Sequence, residues 1–416
     1  MRQHRARTGL RMLAGAGLLA GLAACGDATT RVIPAAPAVV WVATDGGRSH
    51  TVARRADGSL WAWGGNIHGQ VGNGYNSVQS SPVAVAAGRW AAVRAGGGHA
   101  LALAGDGSLW VWGYNALGSL GNGSVSDQWT PLALPGGGVW SALAPGDLHT
   151  LALRADGSLW AWGYNLGGQL GVATAGTCLN PASGTQEACS QTPMQVAPGS
   201  LWKAAAGGGA HSVGIQADGS LWAWGGNAMG QINGGGANQG APQRLGTSTA
   251  WAAVSAGGAH TLALQTDGSL WTWGGNPAGQ LGYPTTATCG GSPCNPVPKQ
   301  VAPGTTWRAA AAGGNFSAAI LSDGTLWTWG RGVLGEVGDG GAANRPSPVR
   351  VGTRADWIAV AAGFAHGLAV RADGSLWAWG WNRDNQLGAT SLDVCHDPAA
   401  PPGTGEPCAL APVRVQ

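Results

Sequence analysis

Apolar residues in this chain do not follow the 3.6-residue spacing of an amphipathic helix. They gather in short runs of strand length, cut by glycine, Asp-Gly and asparagine turns. The stretch that begins at Trp251, "WAAVSAGGAHTLALQTDGSLWTWGGNPAGQLG", is followed by a variable segment and then "PKQVAPG". Four runs stand out in it: "WAAVSA", "HTLAL", "LWTWG" and "KQVA". Between the second and third, Asp-Gly supplies residues that tolerate the positive φ of a tight hairpin. The pattern predicts four antiparallel strands.

That unit recurs. Its Asp-Gly-Ser/Thr-Leu-Trp phrase stands at Asp57, Asp106, Asp156, Asp218, Asp267, Asp323 and Asp373, a period of about 50 residues lengthened in the third and fifth units. Seven units of four strands predict an all-β fold, a seven-bladed β-propeller over residues 41–416. Tryptophan placement agrees. Of 23 tryptophans, fourteen form W-x-W pairs such as Trp61 and Trp63, and seven open the units at Trp41, Trp90, Trp140, Trp202, Trp251, Trp307 and Trp357. Residues i and i+2 of a strand share a face, and a propeller covers both faces of each blade, so these rings are expected to fill the widening gaps between blades. Only Trp129 and Trp381 fall outside the scheme.

The motifs "GGHALAL", "WGYN" and "GQLG" resemble the regulator of chromosome condensation repeat family, from Trp41 to the C-terminus. The resemblance implies the propeller. It also carries functions: the founding chromatin member exchanges nucleotide on a small GTPase, and an exported branch of the family inhibits β-lactamases. The inhibitory propellers resemble this chain in their glycine-rich repeats and aromatic loop face, but their blades are shorter and their binding residues do not align with these. A propeller serves many roles, so the fold alone assigns none of them.

Composition narrows the choice. Of 22 basic residues, Arg2, Arg5, Arg7 and Arg11 lie in the first 25 positions, where no acid occurs, which leaves 18 basic against 19 acidic residues. A near-neutral remainder without a lysine or arginine run argues against nucleic-acid binding and chromatin. The basic start "MRQHRARTGLR", the apolar "MLAGAGLLAGLAA" and Cys25 read as an export signal over 1–24. "LAAC" resembles a bacterial lipobox, which implies a lipid on Cys25 and a linker over 25–40; the plainer reading is a secretory signal cut near Ala24. The protein is thus expected to be exported and lipid-anchored in the cell envelope, touching the membrane through the anchor alone.

Six further cysteines form three close pairs, Cys178 with Cys189, Cys289 with Cys294 and Cys395 with Cys408. In an exported chain this spacing favours local disulfides, each stapling an insertion at a repeat edge. Zinc is the alternative, but a zinc site wants C-x-x-C or a histidine pair, and only His396 adjoins one of these pairs.

Candidate chemistry is sparse. His50, His99, His149, His211, His260 and His366 hold one repeat position that the sixth copy fills with Phe316. A metal ring is conceivable there, but a position that accepts phenylalanine reads as packing. No nucleophile elbow, zinc helix or phosphate loop occurs in its proper setting, and the regular turn aspartates form no acid/base pair. No catalytic residue, metal or cofactor is expected, and a polysaccharide-active propeller is a remote reading.

The copies disagree at the variable letter of W-G-x-N, which is Gly65, Tyr114, Tyr164, Gly226, Gly275, Trp381 and, in the degenerate sixth copy, Arg331. With neighbours His68, Leu117, Met229 and Arg383 these residues are expected to form a partner-binding patch on one loop face, since interface hot spots favour aromatics and arginine. The sequence therefore predicts a monomeric, non-catalytic scaffold that binds an envelope or extracellular protein. Inhibition of an envelope or secreted enzyme such as a β-lactamase is the alternative, and exchange-factor activity a distant one.

Overall fold

A computed structural model of the protein describes residues 39–234, 236–390, 393–397, 401 and 404–416. The predicted signal, Cys25 and the "TTRVIP" segment at 29–34 lie outside the described residues. Val39–Gln416 is one compact unit: a ring of seven antiparallel sheets, each built from consecutive sequence.

Blade 1 runs Trp41–Gly46, His50–Arg55, Leu60–Gly64 and Gln79–Ala84, in that order from the central channel outwards. The other blades repeat this order, starting at the remaining six opening tryptophans. Blades 3, 5 and 7 add a short fifth strand, Thr177–Leu179, Ala287–Cys289 and Asp393–Cys395, each paired to a lengthened outer strand. The three predicted disulfides close these hairpins.

The repeated phrase is a polar relay around a turn. Asp57 Oδ1 accepts the Ser59 N–H at 2.8 Å and the Ser59 hydroxyl at 2.6 Å, and that hydroxyl oxygen accepts Trp61 Nε1–H at 2.9 Å. Blades 3, 4, 6 and 7 repeat the relay, with Thr325 replacing serine in blade 6. Gly58 turns the corner at φ +85°, where a side chain would be strained. Leu60 next to it is fully buried.

The second tryptophan of each W-x-W pair ties neighbouring blades together. Trp63, Trp112, Trp162, Trp224, Trp273, Trp329 and Trp379 are all 0% exposed. Each donates its indole N–H to a backbone carbonyl of the preceding blade, for example Trp112 to Gln70 at 3.0 Å and Trp63 to Gln386 at 2.9 Å. The indole thus fills the seam while its one donor is satisfied. Opening tryptophans such as Trp41 and Trp90 are buried beside them.

The ring closes without a shared strand among the described residues. Glu406–Arg414 is the outer strand of blade 7 alone, and blade 7 meets blade 1 as any two neighbours meet. At one mouth of the channel a belt of backbone hydrogen bonds steps from blade to blade, including Arg48 N to Gly97 O, Asp147 N to Gly208 O and Gly314 N to Phe364 O. Phe364 N to Gly47 O at 3.0 Å completes the circuit.

Candidate interaction face

Second and third strands pair so that His50 opposes Gly64. The G-G-x-x-H and W-G-x-N loops therefore emerge on one face, and the Asp-Gly turns on the other. The candidate residues belong to the first of these.

The histidines are not ligands presented to the channel. All six are 0% exposed, and five place Nε2 against a hydroxyl of the next blade: His99 with Thr150, His149 with Ser212, His211 with Thr261, His260 with Ser317 and His366 with Thr51, at 2.8–3.0 Å. Burial lowers their pKa values to about 3 or 4, so they are neutral at pH 7. Each ring lies flat on a glycine; a Cβ on Gly47 would come within 2.2 Å of the His50 ring. Two irregular residues share one junction. Phe316 stands opposite Gly367 of blade 7, which has no hydroxyl to offer, and a Cβ there would lie 2.2 Å from Trp379 as that ring is placed.

The W-G-x-N letters prove to be paired across seams. Tyr114 stacks edge-on against His68 of blade 1, with centroids 4.8 Å apart, and His68 Nδ1 lies 2.8 Å from Asp127 Oδ2. Tyr164 packs on Leu117 of blade 2 beneath Cys178–Cys189, with its hydroxyl bonded to Glu187. Trp381 packs on Leu334 of blade 6 beneath Cys395–Cys408. Met229 covers Gly275, and Gly167 abuts Gly226. The letter after W-G thus neighbours the residue two positions beyond the asparagine in the preceding blade. Copies disagree because each seam solves its own packing problem.

This places the expected patch mostly in the frame of the face. Leu117 is 1% exposed and offers no surface to a partner, because a disulfide sits over it. Tyr114, Tyr164, Trp381, His68 and Met229 are half-buried. Arg331 is held by Glu336 at 2.6 Å and Asp397 at 2.5 Å. In the sixth copy, Arg331 and Glu336 stand where other copies have a small or aromatic residue and, in five of six, glutamine, with Ser119 in the second, so the degeneracy is one coupled exchange. Burial raises the Glu336 pKa and Arg331 opposes that shift. Arg383 alone of the set projects freely, 64% exposed and 3.7 Å from Glu406.

The projecting letters are the next ones along. Ile67 and Leu166, directly after the asparagine, are 69% and 61% exposed. Around the channel mouth the residue two places before the histidine position is Arg48, Gly97, Asp147, Gly209, Gly258, Gly314 or Phe364, which is the same kind of disagreement among copies and a signal open to sequence reading. Arg48 reaches across Gly97 to Asp147, with Nε 2.6 Å from Oδ1, and lies 5.7 Å over the Phe364 ring. Its hydrogen bond to Asp147 raises its pKa, against the opposing effect of burial. The stapled hairpins of blades 3, 5 and 7 rise from this same side, because Cys189, Cys294 and Cys408 pair opposite Tyr164, Gly275 and Trp381.

The chain matches the family described as "RCC1-like domain" over residues 133–411. Two "Regulator of chromosome condensation (RCC1) repeat" families match over 57–103 with 106–153, and over 41–70 with 90–119. No curated protein matches it. Among solved structures, yeast RCC1 (Prp20), crystallised with Kap60 bound, is 25% identical with a TM-score of 0.66, covering 78% of each chain. Prp20p from Saccharomyces cerevisiae, described with its binding properties to Gsp1p and histones, is 24% identical with a TM-score of 0.67, over 80% of this chain and 84% of that one. Human WBSCR16 is 20% identical with a TM-score of 0.72, over 86% and 94%.

Proposed function

This chain belongs to the RCC1-like domain family, propellers that work as exchange factors or binding scaffolds, and on that premise we propose that it is a non-catalytic scaffold tethered by lipid at Cys25 in the cell envelope. It binds an envelope or extracellular protein, as a monomer, through the W-G-x-N face. The observation that carries the reading is a set of exposed, non-repeating side chains on an otherwise repetitive surface: Ile67, Leu166, Phe364, Arg48 and Arg383. Apolar side chains left in water on a rigid rim suit partner binding, because a preorganised surface loses little entropy on association. Tyr114, Tyr164, Trp381, His68, Met229 and Arg331 frame that surface and fix its shape, while Leu117 supports it from below. A yeast relative has been crystallised with a protein partner, Kap60, bound, and the three disulfides suit an oxidising compartment.

The test is co-purification from native membranes after crosslinking. An Ile67→Glu, Leu166→Glu, Phe364→Ala triple variant should lose the partners that the parent protein captures, while keeping its unfolding temperature. Capture unchanged by the triple variant would overturn the reading.

A further inference from the structure

Position 54 of blade 1 breaks a rule kept by every other junction. Its equivalents are Leu103, Leu153, Ile215, Leu264, Ile320 and Val370, each buried in one core cluster with the opening tryptophan of the next blade. Blade 1 has Arg54 there, and the cluster that contains Trp90 takes no residue from this position. The register therefore places Arg54 at the seam of blades 1 and 2, in the position whose counterparts pack on the next blade's opening tryptophan, here Trp90. Arg54 Nε is buried without a hydrogen-bond partner, and so is Trp90 Nε1. That open indole recurs in four other blades, but no other blade sets a cation there.

More positive charge lies alongside. Arg55, the next residue of the strand, faces the other seam of blade 1, stacked on Trp61 at 3.6 Å and Trp41 at 4.7 Å with its own Nε unpartnered. Arg89 is exposed and lies against Gly58 of the blade 1 turn. None of Arg54, Arg55 and Arg89 forms an ion pair among the described residues. Asp57, the acid that acts on Arg55, has Oδ1 committed to Ser59. At the seam of blades 1 and 2, Arg54 and Arg89 thus offer donors without an ion pair, in a chain otherwise near charge balance, and an oxyanion is the group that suits such donors best.

We infer that the junction of blades 1 and 2 on the Asp-Gly face binds an oxyanion of the phosphate class through Arg54, Arg89 and the Trp90 indole N–H. This face is opposite to the proposed partner surface, so the inference does not depend on that reading. Two sources share the chemistry: free phosphate and the headgroup of an anionic lipid. The chain favours the second. It enters the propeller on this same face, at the other seam of blade 1, where Val40 O accepts the Ala56 N–H and Trp41 N–H donates to Gly374 O, each at 2.9 Å, so a lipid on Cys25 would tether this face to the bilayer by the residues 26–38. Only that preference rests on the anchor.

The test uses the chain from residue 25 with Cys25→Ser, so that no acyl chain contributes. Inorganic phosphate is titrated by calorimetry, and phosphatidylglycerol and phosphatidylcholine vesicles are compared by flotation. The parent protein should bind phosphate, phosphatidylglycerol vesicles or both, and ignore phosphatidylcholine. Arg54→Leu, which installs the residue of blades 2, 3 and 5, should fold and bind roughly fivefold or more weakly, as should Arg89→Ala. Phosphate alone identifies a soluble ligand, and vesicles alone identify the headgroup. Binding to neither, or equal binding by parent and both variants, would show that Arg54 only extends its head into water, and would end the proposal.

Discussion

His366 of the last blade stands 3.0 Å from Thr51 of the first, Nε2 to Oγ1. The Thr51 hydroxyl donates its proton to Gln386 O at 2.7 Å, so Nε2 carries the hydrogen and donates to threonine. The same contact that joins blades 2 and 3 also closes the ring. Closure is thus achieved by seam chemistry, with each end of the chain supplying a complete blade.

Two junctions lack this contact: that of blades 6 and 7, where Phe316 replaces the histidine, and that of blades 1 and 2. His50 has neither ring nitrogen hydrogen-bonded, because Ala100 fills the place that Thr150, Ser212, Thr261, Ser317 and Thr51 fill elsewhere. Ala100→Ser should supply an acceptor for His50 and a donor for Gln70 O, stabilising the protein by about 1 kcal/mol. The urea midpoint should rise with an unchanged slope; a fall would show that the junction has no room for the hydroxyl.

Acid should loosen all six histidine junctions together. The folded-state pKa values lie near 3 or 4, below the ordinary value of about 6.5, so below pH 6.5 the unfolded chain binds protons that the folded chain refuses. Stability from these groups is complete above pH 6.5 and is lost as pH falls towards 4. Unfolding temperatures should be flat from pH 7 to 8 and drop steeply between pH 6 and 4. A flat profile down to pH 4 would contradict burial of the neutral rings.

Removing Arg331 should leave Glu336, 1% exposed, charged and unpaired. Arg331→Ala is expected to cost about 3 kcal/mol. The double variant Arg331→Gly, Glu336→Gln restores residue types found in other copies, and should recover most of that loss. A thermodynamic cycle measured by chemical unfolding gives the coupling; additive effects would mean that the pair is not one exchange.

Seam and surface residues should separate cleanly. Trp381→Ala empties space against Leu334 and the Cys395–Cys408 hairpin and should cost about 2–4 kcal/mol. Ile67→Ala and Leu166→Ala should stay within about 0.5 kcal/mol while weakening partner capture. Calorimetric scans of the three variants decide it, and a destabilised Ile67→Ala would move that residue into the seam.

Periodicity, turn chemistry and tryptophan spacing determined the architecture in advance. Asp-Gly fixes a hairpin locally, W-x-W fixes a face, and seven repetitions leave only a ring in which every blade can cover its neighbour. Cysteine spacing together with export favoured the three local disulfides over zinc, and the structure closes all three. What the sequence could not decide was the direction of each variable letter. Tyr114, Tyr164 and Trp381 look like a binding patch in one dimension, yet they pack against His68, Leu117 and Leu334 about 50 residues earlier. Seam contacts join residues one repeat apart, and no local pattern records which neighbour a side chain will touch. For the same reason Ile67, Leu166 and Phe364 stood out only when their exposure was known, and Arg54 only when its six aliphatic counterparts were found against the next blade's tryptophan.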